Sequence, residues 1–252
     1  MLFQAHRGVS TECPENTMPA FRAAWEQGYQ IIELDPAFTS DGQCIVFHDK
    51  TVNRTCRTAE LSVMEEPRMV CDLTYSELLS YDAGSYMGPQ FAGTKVPLLS
   101  EALSFAAQTG LLVKLDNKVQ RFDPRQKEIF FDVVEKSQAR VAFTCANTEA
   151  IAQVVERFPD AESHYDGAVD EETVLAVKAL LKNNPLTVWL PLPSKLTSWV
   201  KVPLATPELC QTVKRHAKLG LWILETRQQL EEAISLGADI IETTGAIKPQ
   251  AR

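Results

Sequence analysis

The sequence predicts an α/β protein with the architecture of a (β/α)8 TIM barrel. Short apolar runs alternate with segments of helical periodicity along nearly the whole chain, and the apolar runs number about eight. They centre near residues 3, 32, 113, 143, 163, 188, 222 and 240, and a helical segment follows each one except the last. Eight parallel strands that alternate with helices define this barrel. Of the eight runs, the one near residue 163 has the weakest strand pattern.

The first unit begins with the apolar run Phe3 to Ala5, which ends in the polar sequence His6-Arg7-Gly8. Met18, Phe21 and Trp25 then recur at helical spacing. The expected caps of this helix are Asn16 or Thr17 at its start and Gly28 at its end.

The second strand, residues 31–35, leads into a hairpin. Ser40-Asp41-Gly42 is a typical turn sequence, and residues 44–47 return as a strand that ends at His48-Asp49. Residues 51–95 then depart from the regular alternation. They contain several prolines and glycines and one short helical segment near Tyr75 to Leu79. We therefore expect one domain over residues 1–252, in which residues 51–95 form a small insertion over one end of the barrel.

Regular alternation resumes after the insertion. Thr226 and Gln229 form a capping box at the start of the last helix. The other predicted helices cover residues 100–108, 124–137, 148–157, 171–182 and 207–218, and the predicted strands cover residues 111–117, 141–145, 162–165, 186–190, 221–224 and 239–242.

Composition excludes several classes of protein. The 252 residues are 45% hydrophobic and carry a net charge of −8 without a basic run, which argues against nucleic acid as a partner. No stretch approaches the roughly 18 apolar residues of a membrane-spanning helix. The N-terminus lacks the pattern of a signal peptide, and the six cysteines are scattered. We therefore expect a cytoplasmic protein with reduced thiols and without stable membrane insertion.

Two carboxylates lie inside the apolar strand at residues 31–35. Side chains alternate across a strand, so Glu33 and Asp35 point to the same face. Two neighbouring carboxylates in an apolar setting repel each other unless a cation neutralises them or they share a proton. This pair is the first candidate for a functional site.

Further chemical groups lie where other predicted strands end. His6, Glu33, Asp35, Asp116 and Lys118 all fall at or near such ends, and the active sites of TIM barrels form there. The same alternation places Asp116 and Lys118 on one strand face. Oxygen ligands such as these carboxylates suit Mg²⁺, Ca²⁺ or Mn²⁺.

Charged and titratable neighbours extend this site. Lys118 and Arg7 would bring two cations beside a metal, which suits a phosphate oxygen. His6 and His48, two of only four histidines, follow predicted strands near the cluster and can serve as general acid and general base. The other two, His164 and His216, lie outside it.

The residues of this cluster also belong to a set of short motifs in the first fifty residues. These motifs are His6-Arg7-Gly8, Pro14-Glu15-Asn16-Thr17, Ala20-Phe21, Glu33-x-Asp35, Thr39-x-Asp41-Gly42 and His48-Asp49. Their order and spacing resemble those of the glycerophosphodiester phosphodiesterase family. Looser similarity continues through Pro97-Leu98 and Glu101-Ala102-Leu103 to Gly237-Ala238-Asp239-Ile240-Ile241, so the resemblance covers nearly the whole chain.

The resemblance implies a reaction and a role for each site residue. It implies metal-dependent hydrolysis of glycerophosphodiesters to glycerol 3-phosphate and an alcohol, through a cyclic phosphate. A divalent cation, Mg²⁺ or Ca²⁺, is the implied cofactor. The implied residues are His6 and His48 for acid–base catalysis, Arg7 and Lys118 for phosphate binding, Glu15 and Trp222 for support, and Glu33, Asp35 and Asp116 for the metal.

Three departures from the family pattern leave alternatives open. The family usually has Glu at the position of Asp116. Asp116-x-Lys118 instead resembles the Asp-x-Lys sequence that sphingomyelinase D-type phospholipases have there. Trp222-Ile223-Leu224-Glu225 and Glu242-Thr243-Thr244 replace the usual sequences near the last two strands. A phospholipase D-like enzyme acting on lysophospholipids is therefore one alternative, and a non-catalytic phosphodiester-binding barrel is another. The sequence leaves the oligomeric state and the preferred alcohol undetermined.

Overall fold

Eight parallel strands close into a barrel in the structure, a computed structural model that describes residues 1–181, 184–195 and 197–250. This closure confirms the predicted (β/α)8 fold. Two further strands, the third and fourth in the chain, pair with each other as an antiparallel hairpin outside the barrel. In chain order the strands are β1 (Leu2–Ala5), β2 (Ile31–Leu34), β3 (Pro36–Phe38), β4 (Cys44–Val46), β5 (Leu112–Leu115), β6 (Arg140–Cys145), β7 (Glu162–Tyr165), β8 (Leu186–Pro191), β9 (Lys218–Leu224) and β10 (Ile240–Thr243).

The α-helices alternate with the barrel strands, as predicted. One prediction is wrong at its end: the helix expected over residues 207–218 stops at Lys214, and Lys218 already begins β9. The expected strand over residues 111–117 is also shorter, because the chain turns into a 3-10 helix after Leu115. In chain order the helices are α1 (Met18–Glu26), α2 (Tyr75–Leu78), α3 (Leu99–Thr109), α4 (Pro124–Ser137), α5 (Thr148–Arg157), α6 (Glu171–Leu181), α7 (Pro207–Lys214) and α8 (Arg227–Ser235).

The barrel is buried on both sides of its strands. The main core lies between the strands and the surrounding helices, and a smaller cluster around Trp189 fills part of the barrel interior. The interior also contains charged and polar side chains, including Gln4, Lys114, His164 and Glu242, all nearly inaccessible to solvent. Because buried polar groups are costly unless they are paired, this interior must supply partners for them.

The hairpin and the segment 51–95 share a core of their own. This third cluster joins Ile45 and Phe47 of the hairpin to Val52, Val70 and Leu78 of the insertion. The opposite side chains of the hairpin, Phe38, Cys44 and Val46, pack into the main core. Within the insertion, the Asp82 carboxylate accepts hydrogen bonds from backbone N–H groups, which fixes a stretch without regular secondary structure. The insertion is therefore packed against the hairpin that carries His48.

Two expectations from composition can be compared with the fold. All six cysteines are free, and they range from buried Cys44 to exposed Cys71. Across the part of the chain that the structure describes, no helix has the length and apolar character needed to cross a bilayer.

The loop after β1 is shaped by one glycine. Gly8 has a φ of +78°, and a Cβ at this position would lie 2.6 Å from the Ala20 Cβ and 2.7 Å from the Ala20 carbonyl carbon. The neighbouring Val9 N–H donates to the Ala20 carbonyl at 3.2 Å. Close contact with α1 and a left-handed backbone both require glycine here, and together they fix the position of His6 and Arg7.

We expect Gly8→Ala to destabilise the protein more than Gly28→Ala. Both glycines have φ near +80°, but a Cβ on Gly28 meets no atom within 4 Å. Left-handed strain alone costs roughly 1–2 kcal/mol, and forced overpacking adds about 1–3 kcal/mol. Urea unfolding measures the loss of unfolding free energy in each variant. Equal losses would contradict the prediction, because they would show that the contact with Ala20 adds nothing to the strain.

Candidate active site

A cavity of about 640 Å³ opens at the carboxyl ends of the barrel strands. All nine site residues predicted from the sequence line it, although they come from segments far apart in the chain. The lining consists of His6, Arg7, Ser10, Glu15, Glu33, Asp35, His48, Lys114, Asp116, Asn117, Lys118, Arg121, Asp166, Trp189, Trp199, Trp222, Ile223, Glu242 and Thr244.

Asp35 is the most heavily paired carboxylate of the cavity. Its Oδ1 accepts a hydrogen bond from Lys118 Nζ at 2.7 Å, and its Oδ2 accepts one from Asn16 Nδ2 at 2.7 Å. Arg7 Nε lies 3.2 Å from the same Oδ2. Burial alone would raise the pKa of Asp35, but the charges of Lys118 and Arg7 hold this pKa well below its usual range. Asp35 is therefore ionised, and it fixes both predicted phosphate-binding cations.

Glu33 lies in a different electrostatic environment, although it is only two residues away. Its Oε2 accepts a hydrogen bond from the Arg7 backbone N–H at 3.0 Å and lies 4.0 Å from His6 Nε2. Burial, followed by repulsion from Asp35 and Glu242, raises the pKa of Glu33 well above its ordinary value. The pair thus has one carboxylate neutralised by protein cations and one that lacks comparable compensation.

The two predicted catalytic histidines reach the cavity from different parts of the fold. His6 follows β1, and burial lowers its pKa to about 4, so its imidazole is neutral near pH 7 and can accept a proton. His48 follows the hairpin strand β4 and is more exposed. Its Nδ1 lies 2.6 Å from Asp49 Oδ1, which fixes the ring orientation. One histidine therefore belongs to the barrel and the other to the hairpin.

The prediction that Asp116 and Lys118 share a strand face is wrong. The strand ends at Leu115, Asp116 is the N-cap residue of a short 3-10 helix (Asn117–Arg121), and Lys118 lies within that helix. Lys118 nevertheless enters the cavity, where its Nζ also donates to the His48 carbonyl at 2.9 Å. The pKa of Asp116 is raised by burial and then by the nearby Asp35.

The supporting residues have identifiable partners or positions. Glu15 Oε1 accepts a hydrogen bond from Arg7 Nη1 at 2.9 Å, so Glu15 helps to orient Arg7. Thr17, not Asn16, is the N-cap residue of α1, since the Asn16 amide instead bonds Asp35. Trp222 is partly buried in β9 and lines the same cavity.

Several cavity residues were missed by sequence reasoning. Lys114 Nζ lies 3.2 Å from Glu242 Oε2 and 4.6 Å from the centre of the Trp189 ring. Burial opposes the charge of Lys114, but Glu242 and Glu33 raise its pKa above the ordinary value. A signal was present, because Lys114 and Glu242 are single charges inside apolar strand sequences.

Asp166 is a second residue that the motifs did not indicate. It follows β7, accepts a hydrogen bond from Asn117 Nδ2 at 2.7 Å, and has a pKa raised to about 6 by burial and by Asp116. His164, two residues earlier, is fully buried inside the barrel and accepts a hydrogen bond from Trp189. His164 is therefore part of the barrel interior, whereas His216 pairs with Glu171 and does not line the cavity.

The donor chemistry of the cavity suits a hard divalent cation. Glu33 and Asp116 both have raised pKa values caused by burial and neighbouring negative charge, and a cation would relieve this repulsion. The side chains do not form a ready ligand cluster: among the residues that the structure describes, no three His, Cys, Asp or Glu groups are placed to hold a metal ion. Both Asp35 oxygens are already paired with protein donors.

A parallel barrel with buried carboxylates, placed cations and two histidines at its carboxyl end defines the class of TIM-barrel proteins equipped for phosphate ester chemistry. Residues 6–199 match the model of the glycerophosphoryl diester phosphodiesterase family. The chain belongs to this family, which confirms the resemblance seen in its motifs.

Individual relatives agree with this assignment. The chain is 28% identical to a glycerophosphodiester phosphodiesterase of Caldanaerobacter subterraneus subsp. tengcongensis, over 95% of this chain and 92% of that protein. It is 34% identical to one from Bacillus altitudinis, over 50% of this chain and 49% of the relative. An Oleispira antarctica phosphodiesterase, solved in complex with the product sn-glycerol-3-phosphate, shares the fold with a TM-score of 0.76 at 18% identity, covering 98% of this chain and 94% of that one.

We expect Lys114→Met to destabilise the barrel by about 3–5 kcal/mol, because it leaves the buried Glu242 carboxylate without its cation. Adding Glu242→Gln should recover part of that loss, since the unpaired charge is then removed. Urea unfolding of the single and double variants tests this coupling. The exposed pair of Lys136 and Asp132 provides a control, because Lys136→Met should have almost no effect. A double variant as unstable as the sum of its parts would contradict the pairing.

Proposed function

We propose that this protein hydrolyses glycerophosphodiesters to glycerol 3-phosphate and an alcohol. The observation that carries this proposal is the meeting of His6, His48, Arg7 and Lys118 in one cavity with buried carboxylates. Such a site can bind a phosphodiester anion and transfer protons on both sides of it. Membership of the phosphodiesterase family and the named activity of its relatives support the same reaction.

A divalent cation, Mg²⁺ or Ca²⁺, is part of the proposal. Glu33, Asp35 and Asp116 would hold it, with Asp35 exchanging one of its present protein partners for the ion. When bound, the cation would supply Lewis acidity toward the phosphate oxygens and offset the surplus negative charge. Arg7 and Lys118 would then be directed at the remaining phosphate oxygens.

The proposed reaction begins within the substrate. The glycerol hydroxyl next to the phosphate ester attacks phosphorus, because well-oriented intramolecular attack reaches effective molarities of about 10⁵–10⁸ M. One histidine removes the hydroxyl proton and the other protonates the departing alcohol. Water then opens the cyclic phosphate to give glycerol 3-phosphate. No serine or cysteine of the predicted motifs is paired with a base, so the residues offer no simple covalent alternative.

Lysophospholipid hydrolysis remains a second candidate because of one feature of the cavity. Trp199 lines the cavity and is 72% exposed, which offers an apolar contact at its entrance. An acyl chain could use such a contact, whereas a small polar alcohol gains less from it. Comparison of lysophosphatidylcholine with glycerophosphocholine, in the wild type and in Trp199→Ala, separates the two candidates. A preference for the lysolipid that Trp199→Ala abolishes would favour this alternative over the first.

We also propose a cytoplasmic location. The support is the sequence, in which the six cysteines are scattered without a Cys-x-x-Cys spacing. Reduced thiols are typical of the cytoplasm. Fractionation of cells that produce the protein tests this directly, and recovery from the extracellular fraction would reject it.

The proposed cation should stabilise the protein as well as activate it. We expect a chelator to abolish hydrolysis of a panel of glycerophosphodiesters, and Mg²⁺ or Ca²⁺ to raise the melting temperature. A ligand at 100 times its Kd adds about 2.7 kcal/mol to folding stability. Glu33→Gln should lose most of this thermal shift. Normal activity and a full shift in Glu33→Gln would place the cation elsewhere.

The histidines should each contribute to the chemical step. General acid–base catalysis is typically worth about 10²–10⁴-fold, so His6→Ala and His48→Ala should each reduce kcat by about that factor. The double variant should lose less than the product of the two, because the residues act as a unit. His216→Ala is the matched control. A loss in His216→Ala equal to the others would refute the assignment.

The internal nucleophile can be tested with a substrate analogue. A phosphodiester whose adjacent hydroxyl is methylated, or replaced by hydrogen, should still bind but should turn over very slowly. Competition with glycerophosphocholine measures its binding, and release of the alcohol measures its turnover. If the analogue is hydrolysed as fast as glycerophosphocholine, water attacks phosphorus directly.

A further inference from the structure

Arg54 of the insertion contacts two carboxylates that belong to different parts of the fold. Its Nη1 donates to Glu15 Oε2 at 2.7 Å, and its Nη2 donates to Glu15 Oε1 at 2.8 Å. Its Nε donates to Asp49 Oδ2 at 2.6 Å, and the same Nη2 donates to Asp49 Oδ1 at 3.0 Å. All three guanidinium nitrogens are therefore engaged, in two bidentate contacts.

Each of these carboxylates is bound in turn to a residue of the active site. Asp49 Oδ1 lies 2.6 Å from His48 Nδ1, and Glu15 Oε1 accepts a hydrogen bond from Arg7 Nη1. Glu15 lies in the loop that precedes α1, whereas Asp49 follows the hairpin. The Arg54 side chain thus joins the hairpin histidine to the loop of the barrel that carries Arg7.

His48 depends on such a connection more than His6 does. The His6 ring is enclosed within the cavity, whereas the His48 side chain is 38% exposed at the end of a two-stranded hairpin. An exposed ion pair is weak when it stands alone, and Asp49 alone would leave the imidazole free to move with its loop. Two bidentate contacts restrict that motion, because the planar guanidinium fixes direction as well as distance.

A second contact holds the other end of the connection. The Tyr86 hydroxyl, also from the insertion, accepts a hydrogen bond from the Glu15 backbone N–H at 3.0 Å. Glu15 is therefore fixed at its backbone by Tyr86 and at its carboxylate by Arg7 and Arg54. It provides a firm anchor on the barrel side.

We propose that Arg54 is a positioning residue, which holds the His48 imidazole in its working orientation through Asp49 and uses Glu15 as its anchor. Arg54 touches neither substrate nor reacting atoms in this role. The inference rests on the proposed acid–base function of His48. It makes the insertion a part of the catalytic apparatus, since docking of residues 51–95 delivers the group that orients this histidine.

The test compares Arg54→Met with the same substitution made in a His48→Ala background. A misplacement of about 1 Å can cost about 10²-fold in rate, so Arg54→Met alone should lower kcat by about that factor, with a smaller change in KM. In the His48→Ala background it should cost less than about threefold further. Arg54→Lys should resemble Arg54→Met, because an ammonium cannot make both bidentate contacts. If the methionine variant does not fold, Arg54→Lys replaces it in the same test.

Lys95 provides the matched control. It is an exposed cation of the same insertion, and its Nζ donates to the Tyr81 carbonyl at 3.1 Å rather than to Glu15 or Asp49. Lys95→Met should leave kcat near the wild-type value. The inference is overturned if Arg54→Met keeps full activity, if its loss persists undiminished in the His48→Ala background, or if Lys95→Met loses as much. A wild-type rate in His48→Ala alone would instead refute the underlying role of His48.

Discussion

The buried charge of Asp35 is the constraint on which the active site depends. A carboxylate removed from water is strongly destabilising unless cations and hydrogen-bond donors surround it. Here those groups come from two loops: Arg7 and Asn16 lie near opposite ends of the loop between β1 and α1, and Lys118 lies in the turn after β5. Satisfying one charge therefore fixes two loops at once, and it holds the two cations proposed to bind phosphate where an anion can meet them.

Much of this arrangement could be predicted from the sequence, because parallel strands bring their carboxyl ends to one edge. Glu33 and Asp35 needed only the alternation of side chains along a strand, and both lie in the cavity. The same rule failed for Lys118, since the strand ends at Leu115 and alternation ends with it. The capping box that begins α8 could also be predicted, because its hydrogen bonds join Thr226 and Gln229, which are only three residues apart.

The rest depends on contacts between residues distant in the chain. Lys114 and Glu242 are 128 positions apart, and only closure of the barrel between β1 and β10 brings them together. In the sequence, each of these two residues is a single charge within an apolar strand, and nothing in that context indicates its partner. Arg54 and Asp49 lie outside regular helices and strands, so no hydrophobic periodicity predicts where their side chains point. Their contact forms only because the insertion packs against the hairpin. Sequence patterns report local geometry, so they do not reveal such pairings.

The placement of the two histidines has a consequence for how local opening acts on activity. His6 follows a strand of the large core, whereas His48 follows a hairpin strand that packs on two sides: Cys44 and Val46 belong to the large core, and Ile45 and Phe47 belong to the cluster shared with the insertion. Proteins open in local units whose free energies differ. Release of the insertion alone would remove one of the two surfaces that hold this hairpin strand, and the proposed role of His48 would then be lost while the barrel is still folded.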